Sequence, residues 1–187
     1  APTVTLSRSA AAIDENSSST VTITATLSNA TYQDVTVSIG ASGGTEGTDY
    51  ATISDITISA GSTTGTTSLD PTDDSVYEDD EAVTVTIDGV SGGSASESGS
   101  QSVTITITEN ESAPAVTLIV SSSTIAENSG SSKTITATLS GAADEDVTVV
   151  IGTSGTATEG TDYTDGSGNI DDITISAGST TGTVNFT

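Results

Sequence analysis

Apolar and polar positions alternate along this chain with a period of two. Val21, Ile23, Ala25 and Leu27 interleave with threonine, and the alternation returns at Val35, Val37 and Ile39, at Val83, Val85 and Ile87, and at Val103, Ile105 and Ile107. Successive side chains of a strand point to opposite faces, so each run predicts a half-buried β-strand with threonine on its solvated side. The runs are separated by Gly, Ser, Asn and Asp clusters, among them Ser42–Gly44, Ala60–Ser62 and Gly92–Gly99, which is the chemistry of turns. No stretch keeps a helical period. The pattern predicts an all-β protein whose sheets each bury one face, as in an antiparallel sandwich.

The chain also repeats itself. PTVTL at Pro2–Leu6 returns as PAVTL at Pro114–Leu118, and IDEN at Ile13–Asn16 as IAEN at Ile125–Asn128. TITATLS at Thr22 recurs at Thr134, DVTV at Asp34 recurs at Asp146, TEGTDY at Thr45 recurs at Thr158, and DITISAGSTTGT at Asp55 recurs at Asp172. A sandwich domain needs roughly 100 residues, so the period matches a whole domain rather than a solenoid unit. The expected domains are residues 1–112 and 113–187. The second copy stops after the strand matching Thr63–Leu69 and lacks counterparts of Val83–Ile87 and Val103–Ile107. Half a sandwich cannot bury its face, so either the natural chain continues, which is the favoured reading, or another chain donates the missing strands.

Composition narrows the function. Hydrophobic residues make up only 32% of the chain and aromatics 3%, so the cores are thin and built from Val, Ile, Leu and Ala. Against 26 acidic residues stand two basic ones, Arg8 and Lys133, for a net charge of −24. Such a chain repels nucleic acid and anionic membranes, and no apolar run approaches the roughly 20 residues of a membrane span. Cysteine and histidine are absent. That removes disulfides, thiolate sites and the commonest catalytic base, and leaves oxygen donors suited to a hard cation. The first residue is Ala1 rather than Met, as in a processed protein or a fragment. Sequons at Asn16, Asn29, Asn110 and Asn185 permit glycosylation, which a Ser- and Thr-rich chain acquires readily by chance.

The carboxylates are clustered. DPTDDSVYEDDE at Asp70–Glu81 places Asp73, Asp74, Glu78 and Glu81 in a loop that leads into the Val83–Ile87 strand. Glu15 and Asp49 fall at strand ends, and Glu109 and Glu111 at the domain junction. Sandwich loops from alternate strand ends gather at one pole, where these groups meet. Two carboxylates 4 Å apart repel by about 4 kcal/mol at an effective dielectric of 20, so a cation is required to hold several together. Calcium, which takes six to eight oxygens at about 2.3 to 2.6 Å in irregular geometry, fits better than magnesium.

IDEN, TEGTDY, ISAGSTTGT, DDSVYEDDE and the closing VTITITENE, in that order, resemble a Calx-beta domain from Pro2 to Glu111. The resemblance implies a seven-stranded immunoglobulin-like sandwich with calcium at one pole. Carried over by motif, it implies ligands at Glu15, Asp49, Asp73, Asp74, Glu78 and Glu81, a backbone carbonyl ligand at Val76, and a closing acidic group at Glu109 and Glu111. Asn110 and Ser75 stand where the family often has acids, and in the second copy only Glu127 and Asp162 match.

The expected function is that of a non-catalytic, calcium-rigidified spacer or fibre segment in an extracellular repeat protein such as an adhesin, matrix component or surface filament. Calcium at Glu109 and Glu111 is expected to clamp neighbouring domains. The expected partners are neighbouring domains of the same array and, in a fibre, identical chains; the expected location is secreted or at the cell surface. A regulatory calcium sensor and a polymer subunit completed by strand donation are the alternatives.

Overall fold

Sixteen strands and no helix form among the described residues, 1–127, 129–166 and 170–187 of a computed structural model. The last residue of the repeated IAEN motif, Asn128, lies outside them. The chain divides into two compact units, Ala1–Asp74 with Asp79–Asn110, and Ser75–Glu78 with Glu111–Thr187.

The first unit is an antiparallel β-sandwich. One sheet orders β6 (Thr64–Leu69), β3 (Val21–Leu27), β1 (Thr3–Arg8) and β9 (Ser96–Glu97). The other orders β2 (Ala12–Asp14), β10 (Ser102–Thr108), β8 (Glu81–Ser91), β4 (Val35–Ser42) and β5 (Ile56–Ile58). The core is the alternation read from the sequence: Val21, Ile23, Ala25 and Leu27 face Val35, Val37, Val83, Val85 and Ile105, all buried. Ile39 and Val103 pack only half-buried against its margin.

Two short strands depart from the simple alternation. The N-terminal strand breaks at Ser9–Ala11, so that β1 pairs antiparallel with β3 in one sheet while β2 pairs in parallel with β10 in the other. Within the Gly92–Gly99 segment, β9 adds to β1 in parallel. Neither pairing has a hydrophobic run of its own, and both exist because a long neighbouring strand offers an open edge.

In the second unit, β11 (Val116–Val120), β12 (Lys133–Leu139) and β16 (Thr181–Phe186) form one sheet and β14 (Val147–Val149) with β15 (Ile173–Ile175) another. A parallel pair joins β7 (Val76–Tyr77) to β13 (Ala142–Ala143) within this unit. The buried cluster is smaller, centred on Ala137, Leu139, Ile173 and Ile175. Val4 of the first unit is fully buried, whereas its counterpart Val116 is 43% exposed and Leu118 and Ile119 are more exposed still. Residues of β8 and β10 share the core cluster with Val4 in the first unit, and those two strands have no counterpart in the sequence up to Thr187.

Candidate metal centre

Five loops and strand ends of the first unit converge at one pole. The parallel register of β2 on β10 sets Thr108 beside Asp14, and the Glu15 N–H donates to the Thr108 carbonyl at 3.0 Å. The residues that follow, Glu15 and Glu109, therefore leave the sheet side by side. One carboxylate oxygen of each lies within 4.8 Å of the other. Asp80 holds Glu109 in place, its Oδ1 accepting the Glu109 N–H at 3.0 Å.

The second arm of the site is the TEGTDY turn. Asp49 and Thr48 donate their N–H groups to the Thr45 carbonyl at 2.9 and 3.0 Å, and Gly47 supplies a positive φ of 87° that closes the turn. The Asp49 side chain turns back to accept the Thr45 N–H. Tyr50, buried in the core, anchors the turn, and its bridge to Pro71 draws the acidic loop alongside. Thr72 donates to the Asp49 carbonyl at 2.9 Å, which carries Asp73 and Asp74 toward Glu15. The Asp74 N–H reaches Glu15 Oε1 at 3.1 Å. Asp49 and Glu81, the first residue of β8, bring carboxylate oxygens within 4.8 Å of each other.

Glu15 and Asp49 are each only 6% exposed. Burial of an ionised carboxylate is costly unless hydrogen bonds or an opposite charge compensate it. Desolvation raises the Glu15 pKa above its ordinary value of 4.5, the Asp74 N–H opposes that rise, and the charges of Glu109, Asp74 and Asp73 add to it. Tyr50 is likewise raised, by burial first and then by Glu46, Asp49 and Glu81. Oxygen donors packed together in this way, with like charges raising the cost of ionisation, could hold a hard cation.

Of the residues expected from the sequence, the first unit gathers Glu15, Asp49, Asp73, Asp74, Glu81 and Glu109. Val76, Glu78 and Glu111 fall in the second unit, with Val76 in the β7 pairing. In that unit Asp162 repeats the Asp49 turn, its N–H donating to Thr158 at 2.7 Å and its carboxylate accepting the Thr158 N–H at 2.6 Å. Glu127 and Asp162 line one cavity of about 270 Å³. Sequence reasoning passed over Asp80, which lies inside the acidic run but carries no spacing signal for a positioning role.

Residues 1–110 match the LapA domain family model, and residues 109–187 match the Calx-beta domain model. The Calx-beta resemblance read from the motifs covers Pro2–Glu111, whereas the Calx-beta model matches the second half of the chain, and the stretch that carries those motifs matches the LapA model instead. Among solved structures, the chain is similar to the apo-form Calx CBD1 domain at 16% identity and a TM-score of 0.47, over 58% of this chain and 99% of that one. It is also similar to CBD12 from CALX1.2 at 13% identity, over 97% and 73%, and to the calcium binding domain CBD12 of CALX1.1 at 16% identity, over 96% and 74%, each with a TM-score of 0.47. No curated protein matches the chain.

Proposed function

The chain belongs to the LapA domain family through residues 1–110 and carries a Calx-beta domain over residues 109–187, and on that footing we propose that it is a calcium-rigidified structural segment of an extracellular repeat protein. It is non-catalytic in this reading. The observation that carries the proposal is the gathering of acidic groups around two buried carboxylates, Glu109, Asp73 and Asp74 around Glu15 and Glu81 beside Asp49.

Glu15 and Asp49 supply the buried oxygens, and Glu81 and Glu109 supply half-buried ones at strand ends. Asp73 and Asp74 supply exposed oxygens from the loop. A bound calcium ion contributes positive charge that offsets their mutual repulsion. The loops then tighten, because Asp73, Asp74 and Glu81 gain a common attractor in place of like-charged neighbours. Val76, Glu78 and Glu111 remain proposed ligands from the motif carry-over. Extracellular modules bind calcium at about 10⁻⁴ to 10⁻³ M, so the pole would be filled outside a cell and empty inside it. That range suits a secreted or surface-attached location, with neighbouring modules of the same array as partners.

The two-armed test is calorimetric titration with calcium, with small-angle scattering at both end points. Binding near millimolar with a stiffer scattering profile supports the proposal, and absence of heat up to about 10 mM, well above the extracellular range, sinks it.

A second reading draws on β11, all five of whose residues are exposed. It assigns the second unit to completion by added strands, from further chain or from a neighbouring subunit in a fibre.

A further inference from the structure

The internal repeat places one backbone segment in two situations. Asn29–Asp34 of the first unit corresponds to Gly141–Asp146 of the second, each flanked by TITATLS and DVTV. Two hydrogen bonds of the local frame recur. Gly61 donates to the Thr31 carbonyl at 2.8 Å as Gly178 does to Ala143 at 2.7 Å. Ala60 donates to Asp34 Oδ1 at 2.8 Å as Ala177 does to Asp146 Oδ1 at 2.8 Å.

In the second unit this segment is a strand. Ala142 and Ala143 pair in parallel with Val76 and Tyr77, and the Asp144 N–H donates to the Tyr77 carbonyl at 3.1 Å. Ala142 is half-buried there. In the first unit the corresponding Ala30 is exposed, and Tyr32, in the place of Asp144, is fully exposed. A cavity of about 380 Å³ opens beside it, lined by Pro2, Thr31, Tyr32, Gln33, Gly93 and Ser94 among others. Nothing in that lining is charged, in a chain whose net charge is −24.

We propose that Ala30–Tyr32 is a docking edge for the extended acidic Val-Tyr segment of another module of this kind, which adds as a short parallel strand. The occupant is identified by three observations. The same frame in the second unit carries a Val-Tyr strand, the receiving loop is preformed by the Gly61 and Ala60 bonds, and the neutral lining accepts an acidic strand without like-charge repulsion. Main-chain hydrogen bonds would supply the affinity, and the exposed Tyr32 ring would supply apolar area beside the incoming Val and Tyr. The receiving edge Ala30–Tyr32 holds none of the proposed calcium ligands, so peptide binding measured in chelator tests it separately from the metal site.

The probe is a blocked peptide with the sequence of Thr72–Asp80, titrated into the full chain labelled with ¹⁵N and followed by amide shifts. An isolated peptide bears its own ordering cost, so saturation is expected at about millimolar concentration. Saturable shifts at Ala30–Gln33 and Gly93–Ser94 are expected from this peptide and not from a scrambled one of the same composition. Tyr32→Pro removes the N–H that corresponds to the donor at Asp144 and should weaken binding about tenfold or more, the loss of one main-chain bond. Tyr32→Ala keeps that N–H and should bind within a few-fold of the parent, and amide shifts of the free Tyr32→Pro chain that match the parent away from residues 30–34 show that the proline variant is folded. Equal shifts with the scrambled peptide, no shift at Ala30–Gln33, or weakening by Tyr32→Ala as large as by Tyr32→Pro would each overturn the strand-addition proposal.

Discussion

Replacing Glu15 with Gln tests the charge balance at the acidic pole, because it removes one charge and keeps the acceptor for the Asp74 N–H at 3.1 Å. Glu109, which follows β10, brings a carboxylate oxygen within 4.8 Å of one of Glu15. Two unit charges at that distance repel by about 3.5 kcal/mol at an effective dielectric of 20 and by about 0.9 kcal/mol in bulk water. Glu15 is buried and Glu109 half-buried, so relief of roughly 1 to 3 kcal/mol is expected in the ion-free protein, between those two limits. In calcium that advantage shrinks. With a Kd of about 10⁻⁴ M and about 10 mM free ion, one site stabilises by about 2.7 kcal/mol, and a tenfold weaker site by about 1.4. Scanning calorimetry of parent and variant in chelator and in calcium reads both effects, at about 4 °C or more per kcal/mol for a unit of this size. The variant should melt higher than the parent in chelator and gain less from calcium. A lower melting point in chelator, or an undiminished calcium increment, would refute the reasoning.

Gly43→Ala should destabilise the first unit by about 2 kcal/mol or more in urea unfolding, since the position has a φ of +83° and an added Cβ would meet the Ala82 carbonyl oxygen at 2.2 Å. Ile23→Ala, in the centre of the filled core, should cost about 2 to 5 kcal/mol, whereas Ile119→Thr on the exposed β11 should change stability by less than about 0.5 kcal/mol; equal costs would contradict the difference in packing between the units. Tyr50 has a folded pKa raised above 10.0 by burial and by its acidic neighbours. Its contribution to stability is therefore complete below pH 10 and declines as pH rises from there through the folded pKa. In alkaline titration the Tyr50 phenolate should appear together with unfolding of the first unit, and a phenolate formed at pH 10 in the folded protein would negate its anchoring role.

Much of the fold was legible because β-structure writes a period of two. The alternation over Val21–Leu27, Val35–Ile39, Val83–Ile87 and Val103–Ile107 is the inner face of the sandwich nearly residue for residue. What it did not reveal were β2, β9 and β7, which are two or three residues long and exist through pairing with a distant edge rather than through their own sequence. The site was legible in the same uneven way. TEGTDY announces a tight turn with Asp49 in it, and the acidic run announces its own loop. That Glu15 stands beside Glu109 depends on the parallel register of β2 on β10, across more than ninety intervening positions, and no local pattern encodes a register of that range. Asp80 was invisible for the same reason, since its role is to hold the backbone of Glu109.

The sequence by itself determined the class, the repeat, the hard-oxygen chemistry and the thin aliphatic core, because composition and periodicity act through local geometry and transfer free energy. Only the tertiary structure decided which carboxylates are buried together and which are solvated. It also decided that corresponding repeat segments meet different neighbours, so that Ala142–Ala143 is a paired strand whereas Ala30 and Tyr32 are exposed. Burial and pairing are properties of what lies across the fold from a residue, and two segments at corresponding places in a repeat differ when their surroundings do.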